Sequence, residues 1–157
     1  MQEEITNAES GATIFLANDY VADSEDTALV IPSGKTITLQ LNGHVIDRNL
    51  VEAAEGGNVI NNNGILTIDG SGTIRGGFNS GSGGAFVNYG RMSIGENGYV
   101  TISRNNAAGN GGGVWNGMFT DFEAHGSANY NGKLTVCNGS IVENTAEGMA
   151  LNSARDL

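Results

Sequence analysis

Gly83-Gly84-Ala85-Phe86-Val87-Asn88, followed after Tyr89 by Gly90-Arg91-Met92-Ser93-Ile94 and then by Gly98-Tyr99-Val100, is one full phrase of a repeating sequence. Its first part recurs as Gly56-Gly57-Asn58-Val59-Ile60-Asn61 and as Gly111-Gly112-Gly113-Val114-Trp115-Asn116, with a decayed copy at Glu147-Gly148-Met149-Ala150-Leu151-Asn152. Its second part matches Gly64-Ile65-Leu66-Thr67-Ile68 and Gly132-Lys133-Leu134-Thr135-Val136. Gly34-Lys35-Thr36-Ile37-Thr38-Leu39 is an earlier version with one extra residue. The third part, a glycine and a short apolar strand, returns as Gly43-His44-Val45, Gly72-Thr73-Ile74 and Gly139-Ser140-Ile141. One period thus holds three short strands and lasts about 26–30 residues where nothing interrupts it.

Three strands and three turns make one coil of a three-sided solenoid. Equivalent strands of successive coils then stack about 4.8 Å apart as parallel sheets. The alignment places Leu66, Met92 and Leu134 in one interior column and Ile68, Ile94 and Val136 in a second. Val45, Ile74, Val100 and Ile141 form a third. Thr67, Ser93 and Thr135 alternate outward between the first two, as strand periodicity requires. Asn61, Asn88 and Asn116 share one place in the period, where stacked amides can bond along a column. The rival is an antiparallel meander, because Asn-Gly is a strong hairpin signal and such pairs recur along the chain, Asn42-Gly43 among them. A meander has no reason to repeat with a three-strand period. The expected fold is therefore all-β, a single-stranded parallel β-helix (a three-sided solenoid) of about 4–5 coils.

Composition agrees. The chain of 157 residues is long enough for one domain with a real core. Its 39% hydrophobic content is too high for a glycine-rich linker despite 25 glycines, and a single proline excludes collagen and Pro-rich spacers. A formal charge of −10 disfavours nucleic-acid binding, since little is present to neutralise phosphate. No apolar run approaches the roughly 18–20 residues of a membrane span, so membrane insertion is not expected. Cys137 is the only cysteine, which leaves no internal disulfide and no multi-cysteine metal site.

The Gly-Gly-x-φ-φ-Asn phrase (φ here an apolar residue), preceded by Asn105-Asn106-Ala107 or Asn144-Thr145-Ala146, resembles the β-helix repeat of autotransporter-like and polymorphic outer-membrane adhesins. The stretch from Ile31 to His44, with Thr36-Ile37-Thr38-Leu39-Gln40-Leu41-Asn42-Gly43, resembles the first coils of large secreted β-helix proteins of gut bacteria. The resemblance covers roughly residues 27 to 152. It implies a right-handed β-helix and a bacterial, extracellular or cell-surface setting. The same solenoid carries adhesins, stalks and polysaccharide-cleaving enzymes, so fold alone does not assign an activity.

The chain reads as one β-helix domain: 1–26 an N-terminal cap and first strand, 27–152 the coils, 117–131 an inserted loop, and 153–157 a tail. Met1 to Gly11 is expected to lie over the first coil with Ile5 inward and Glu3, Glu4 and Glu9 outward. The unfinished last coil, with no signal peptide, suggests a fragment of a longer protein, and open ends would allow self-association. Where Tyr89 alone links Asn88 to Gly90, fifteen residues separate Asn116 from Gly132. Aromatic and ionisable groups concentrate there: Phe119, Asp121, Phe122, Glu123, His125 and Tyr130, with Trp115 just before. Rings stack on the C–H face of a sugar and carboxylates accept its hydroxyl protons, so these are the candidate binding residues for a glycan or a host protein. The alternative to a glycan site is a loop that folds its rings over the solenoid wall.

Other chemistry is poorly supported. Calcium-binding solenoid repeats need an Asp that the glycine phrases here lack, although Asp19, Asp23 and Asp26, or Asp121 and Glu123, leave an improvised site open. His44, His125 and Cys137 have no zinc-like spacing, and Cys137 reads as a small filler thiol. No metal or cofactor is expected. The enzymatic alternative is a polysaccharide lyase or hydrolase using Asp47, Asp69 and Arg75, though a structural ion pair among Asp47, Asp69, Arg48 and Arg75 explains them more simply. The favoured expectation is a non-catalytic structural or adhesive module.

Overall fold

The computed structural model describes residues 1–119 and 130–148, with 118, 119, 130 and 131 described as backbone. After a short helix α1 (Gln2–Asn7), strands β1 (Ala12–Phe15) and β2 (Tyr20–Val21) begin the stack. The next turn has β3 (Leu29–Ile31), β4 (Thr36–Gln40) and β5 (Val45–Asp47). It is followed by β6 (Ile60–Asn62), β7 (Ile65–Asp69), β8 (Gly72–Arg75) and β9 (Phe78–Asn79). Then come β10 (Phe86–Asn88), β11 (Arg91–Ile94), β12 (Val100–Ser103) and β13 (Asn106–Ala107). The last described turn holds β14 (Val114–Asn116), β15 (Met118–Phe119), β16 (Tyr130–Asn131), β17 (Lys133–Val136), β18 (Gly139–Val142) and β19 (Thr145–Ala146).

These strands stack into a parallel β-solenoid of about four turns. Sheet A runs β1-β4-β7-β11-β17, sheet B β18-β12-β8-β5-β2 and sheet C β14-β10-β6-β3. Every pairing within them is parallel, which removes the meander. A short fourth sheet, β19-β13-β9, forms between B and C and is extended by a bridge from Ala54 to Asn79. Three-strand reading of the repeat does not foresee it. Its strands are two residues long and carry no apolar alternation, so no periodic signal marks them.

The columns of sheet A are as expected: Leu66 pairs with Met92 and Met92 with Leu134, while Ile68, Ile94 and Val136 follow two residues on. Ile37 and Leu39 extend both columns. The third column needs correction. Ile74 and Ile141 stack with Ile46 and Ile102, not with Val45 and Val100. Val45 faces Thr73, and Val100 faces Gly72 and Gly139. The corner glycines do not lie at a constant distance from the strand, so aligning Gly43, Gly72, Gly98 and Gly139 misplaces the register.

The asparagine column shifts likewise. Asn88 is in register with Asn62 and Asn116, and Asn61 faces Val87. The extra residue between Gly57 and Ile60 is absorbed where the Val59 and Ile60 N–H groups both donate to the Ala85 carbonyl. The stacked amides themselves are real. Asn62 Nδ2 donates to Asn88 Oδ1 at 2.8 Å, and Asn88 Nδ2 to Asn116 Oδ1 at 2.7 Å. A second pair, Asn105 and Asn144, joins the corner after sheet B, where Asn105 Nδ2 donates to Asn144 Oδ1 at 2.9 Å.

Helix α1 lies beside β3, the outermost strand of sheet C, with Ile5 fully buried and Glu3, Glu4 and Glu9 exposed. Six residues are too few for a stable isolated helix. Tertiary contacts hold it: Lys35 Nζ donates to the Ile5 and Thr6 carbonyls at 3.1 and 2.7 Å. Gln2 then treats the sheet edge as a strand would. Its Oε1 accepts from the Val30 N–H at 2.7 Å and its Nε2 donates to the Val30 carbonyl at 3.2 Å. Both free backbone groups of an edge residue are thereby satisfied. Gln2→Ala should cost about 1–2 kcal/mol and accelerate amide exchange at Val30, with the interior turns still protected. Unchanged exchange at Val30 would show that the side chain does not close this edge.

Candidate functional site

A glycine just before each of three successive sheet A strands also shapes the surface. Gly64, Gly90 and Gly132 stand one residue before in-register strands, and a Cβ at Gly90 would sit 2.0 Å from the Gly64 carbonyl oxygen. Only glycine permits the corners to stack this closely. The missing side chains leave a depression of ≈ 410 Å³ at the corner between sheets C and A. Ser33, Asn63, Ile65, Tyr89 and Arg91 line it around Gly34, Gly64 and Gly90.

A second depression of ≈ 350 Å³ continues onto the outer face of sheet A and shares Ile65 and Arg91 with the first. The outward hydroxyls Thr67, Ser93 and Thr135 line it with Lys133, Glu96 and Cys137. Ile65 is half exposed at 45%, an apolar floor between two polar rows. Cys137 is exposed rather than a filler, because Lys133 and Thr135 face outward in β17 and the same alternation carries position 137 to the outer side.

Tyr89 and Trp115 meet edge to face beside the first depression, ring centroids 5.6 Å apart at 88°. Both rings lie over Gly117, where a Cβ would stand 2.5 Å from the indole and 2.6 Å from the phenol ring. From there the insertion leaves the solenoid as an antiparallel stem, Met118 opposite Asn131 and Phe119 opposite Tyr130. The Gly132 N–H donates back to the Gly117 carbonyl at 2.8 Å and the coil resumes at Lys133. Trp115, Phe119 and Tyr130 are thus placed at or beside the root of the insertion. Asp121, Phe122, Glu123 and His125 lie outside the described residues.

The residues of the enzymatic alternative occupy different places. Asp47 and Arg75 are register partners on sheet B, with Arg75 Nε donating to Asp47 Oδ2 at 2.7 Å. The neighbouring Arg48 is buried and donates to the Asp26 carbonyl at 2.6 Å. Asp69 closes β7 on sheet A and is 3% exposed. It accepts from the Asn97 backbone N–H and side-chain amide, both at 2.8 Å. Burial raises the Asp69 pKa, but the hydrogen bonds from Asn97, Gly70 and Gly98 outweigh it and hold the pKa below the ordinary value. Each carboxylate ties one turn to the next.

A depressed folded pKa means that Asp69 contributes stability above the unfolded value of about 3.9 and loses it as pH falls through the folded value. The wild type should therefore weaken below about pH 4. Asp69→Asn should lose about 1–2 kcal/mol at pH 7 and show a shallower acid limb. Urea titrations at pH 7 and pH 3 measure both, and equal losses at the two pH values would contradict this assignment.

The acidic N-terminal segment is similarly occupied. Asp19 Oδ1 accepts from the Val45 N–H at 3.0 Å and contacts His44 Nδ1 at 3.1 Å. Asp23 Oδ1 takes the Glu25 and Asp26 N–H groups, and Asp26 Oδ2 takes that of Asp23. Among the described residues no cluster of three His, Cys, Asp or Glu side chains forms a metal site.

The groove was not foreseen from sequence. Its signal was present in Gly64, Gly90 and Gly132, the glycines just before three successive sheet A strands, where a side chain would collide with the neighbouring turn. Compared with family models, curated proteins and solved structures, the chain matches none of them.

Proposed function

We propose that the solenoid is a non-catalytic binding module whose contact surface is the groove from the sheet C–A corner across sheet A, beside the inserted hairpin. The observation that carries this reading is the Tyr89–Trp115 pair at the edge of a hollow lined by Arg91, Asn63 and Ser33. An aromatic wall with a few convergent polar groups suits a sugar ring, whose C–H face packs on the ring while its hydroxyls bond to the polar rim. The rigid stack supplies a fixed platform, and the antiparallel stem that pairs Phe119 with Tyr130 leaves the solenoid beside it. Display outside a bacterial cell, as a surface-attached or secreted adhesive element, is the setting that fits such a module.

Deleting residues 118–131 leaves Gly117 as the single link from Asn116 to Gly132, the length Tyr89 has one turn earlier. On a glycan array the intact protein should bind a defined set of oligosaccharides without releasing reducing ends or unsaturated products. The deletion variant should keep its circular dichroism and lose at least tenfold in affinity. Product release that disappears with Asp69→Asn would overturn the reading in favour of an enzyme.

A further inference from the structure

We propose that the outer face of sheet A selects anionic glycans, holding a sulfate or carboxylate of the sugar between Arg91 and Lys133. This rests on the glycan reading above and adds the charge of the ligand. Four of the six basic side chains that the structure describes already have partners. Lys35 holds the α1 carbonyls, Arg48 the Asp26 carbonyl, Arg75 the Asp47 carboxylate and Arg104 Glu143. Arg91 and Lys133 have none among the described residues, and both are exposed.

These two are also register partners on adjacent strands β11 and β17. Parallel strands lie about 4.8 Å apart, and like charges facing each other at that spacing are unfavourable. A chain of net charge −10 with seven Lys and Arg residues places two of them side by side with no ion-pair partner among the described residues. An anion seated between them relieves the repulsion and gains charge-assisted hydrogen bonds, with the planar Arg91 guanidinium able to take two oxygens at once.

The surroundings suit a sugar carrying that anion. Ser93 and Thr135 form the next outward pair, two residues along the same two strands, and with Thr67 they offer hydroxyls in a row. Arg91 lines both depressions, so a ligand held by it can lie over Ile65 and reach the Tyr89 side. One carboxylate, Glu96, borders the second depression without forming an ion pair with either cation. The overall negative charge does not decide the matter. At physiological ionic strength the Debye length is about 8 Å, so direct contacts with the pair outweigh the distant carboxylates.

The test compares a sulfated oligosaccharide, a uronate oligosaccharide and their desulfated and carboxyl-reduced counterparts by calorimetry on the full chain. Anionic forms should bind at least tenfold more tightly than neutral ones, and the better of the two identifies the anion. Arg91→Gln and Lys133→Gln should each remove about tenfold, with thermal stability unchanged or raised because the repulsion is gone. Arg104→Gln, which removes a paired cation, should leave binding intact. Equal affinity for neutral and anionic forms, lost on Tyr89→Ala, would overturn the charge inference while keeping the glycan reading. Binding to no glycan at all would overturn both.

Discussion

Phe86→Ala is expected to lower the stability of the solenoid by about 3–5 kcal/mol, on the order of 10 °C in midpoint for a chain of this size. Phe86 has no exposed surface and is the largest of the fully buried side chains. It points inward from β10, with Ile60 on one side in register and Val114 on the other. Truncation removes the ring from the apolar interior and leaves a cavity in a middle turn, which both neighbouring turns feel. Rigid stacking limits relaxation, since the backbone on either side is held by sheet hydrogen bonds. The urea midpoint should fall with the slope nearly constant, and Phe86→Leu should recover much of the loss. A loss under about 1 kcal/mol would mean that the turns collapse onto the gap, contrary to a stack with fixed spacing.

Asn88→Ala should cost about 2–4 kcal/mol, although it removes a small polar group. Asn88 is fully buried and joins three turns: its oxygen accepts from Asn62, and its amide donates to Asn116 and to the Lys133 carbonyl at 3.3 Å. Without it these partners lose hydrogen bonds in a place where water does not replace them well. Asn88→Leu should not rescue, because the carbonyl and amide groups around it stay polar whatever apolar volume is supplied. Asn116→Ala, at an exposed position, should cost under about 1 kcal/mol and serves as the internal comparison. Chemical denaturation of the three variants gives the order directly. If Asn88→Leu proved as stable as the wild type, the column would be filling space rather than bonding between turns.

The parallel solenoid was legible because each strand buries the same kind of residue at the same interval. Leu66, Met92 and Leu134, or Thr67, Ser93 and Thr135, announce one inward and one outward row without any structure. The amphipathic start with Ile5 inward and the insertion before Gly132 were legible for the same reason: apolar spacing and interruption of a period are local properties. What the repeat does not record is how many residues a corner absorbs. Gly57 to Ile60 holds one residue more than Gly84 to Phe86, and that single step moves the buried amide from Asn61 to Asn62. The same uncertainty displaced Val45 and Val100 from the isoleucine column.

The amino-acid sequence by itself determined which faces are apolar, where the turns fall and that the strands must stack like on like, because burial and backbone preference act within each short segment. The tertiary structure alone decided the short fourth sheet, the hydrogen-bond partner of Asp69 across a turn and the edge-to-face meeting of Tyr89 with Trp115. Those features join residues of different turns, many positions apart in the chain. Their geometry exists only once the turns are stacked and every corner has taken its final length.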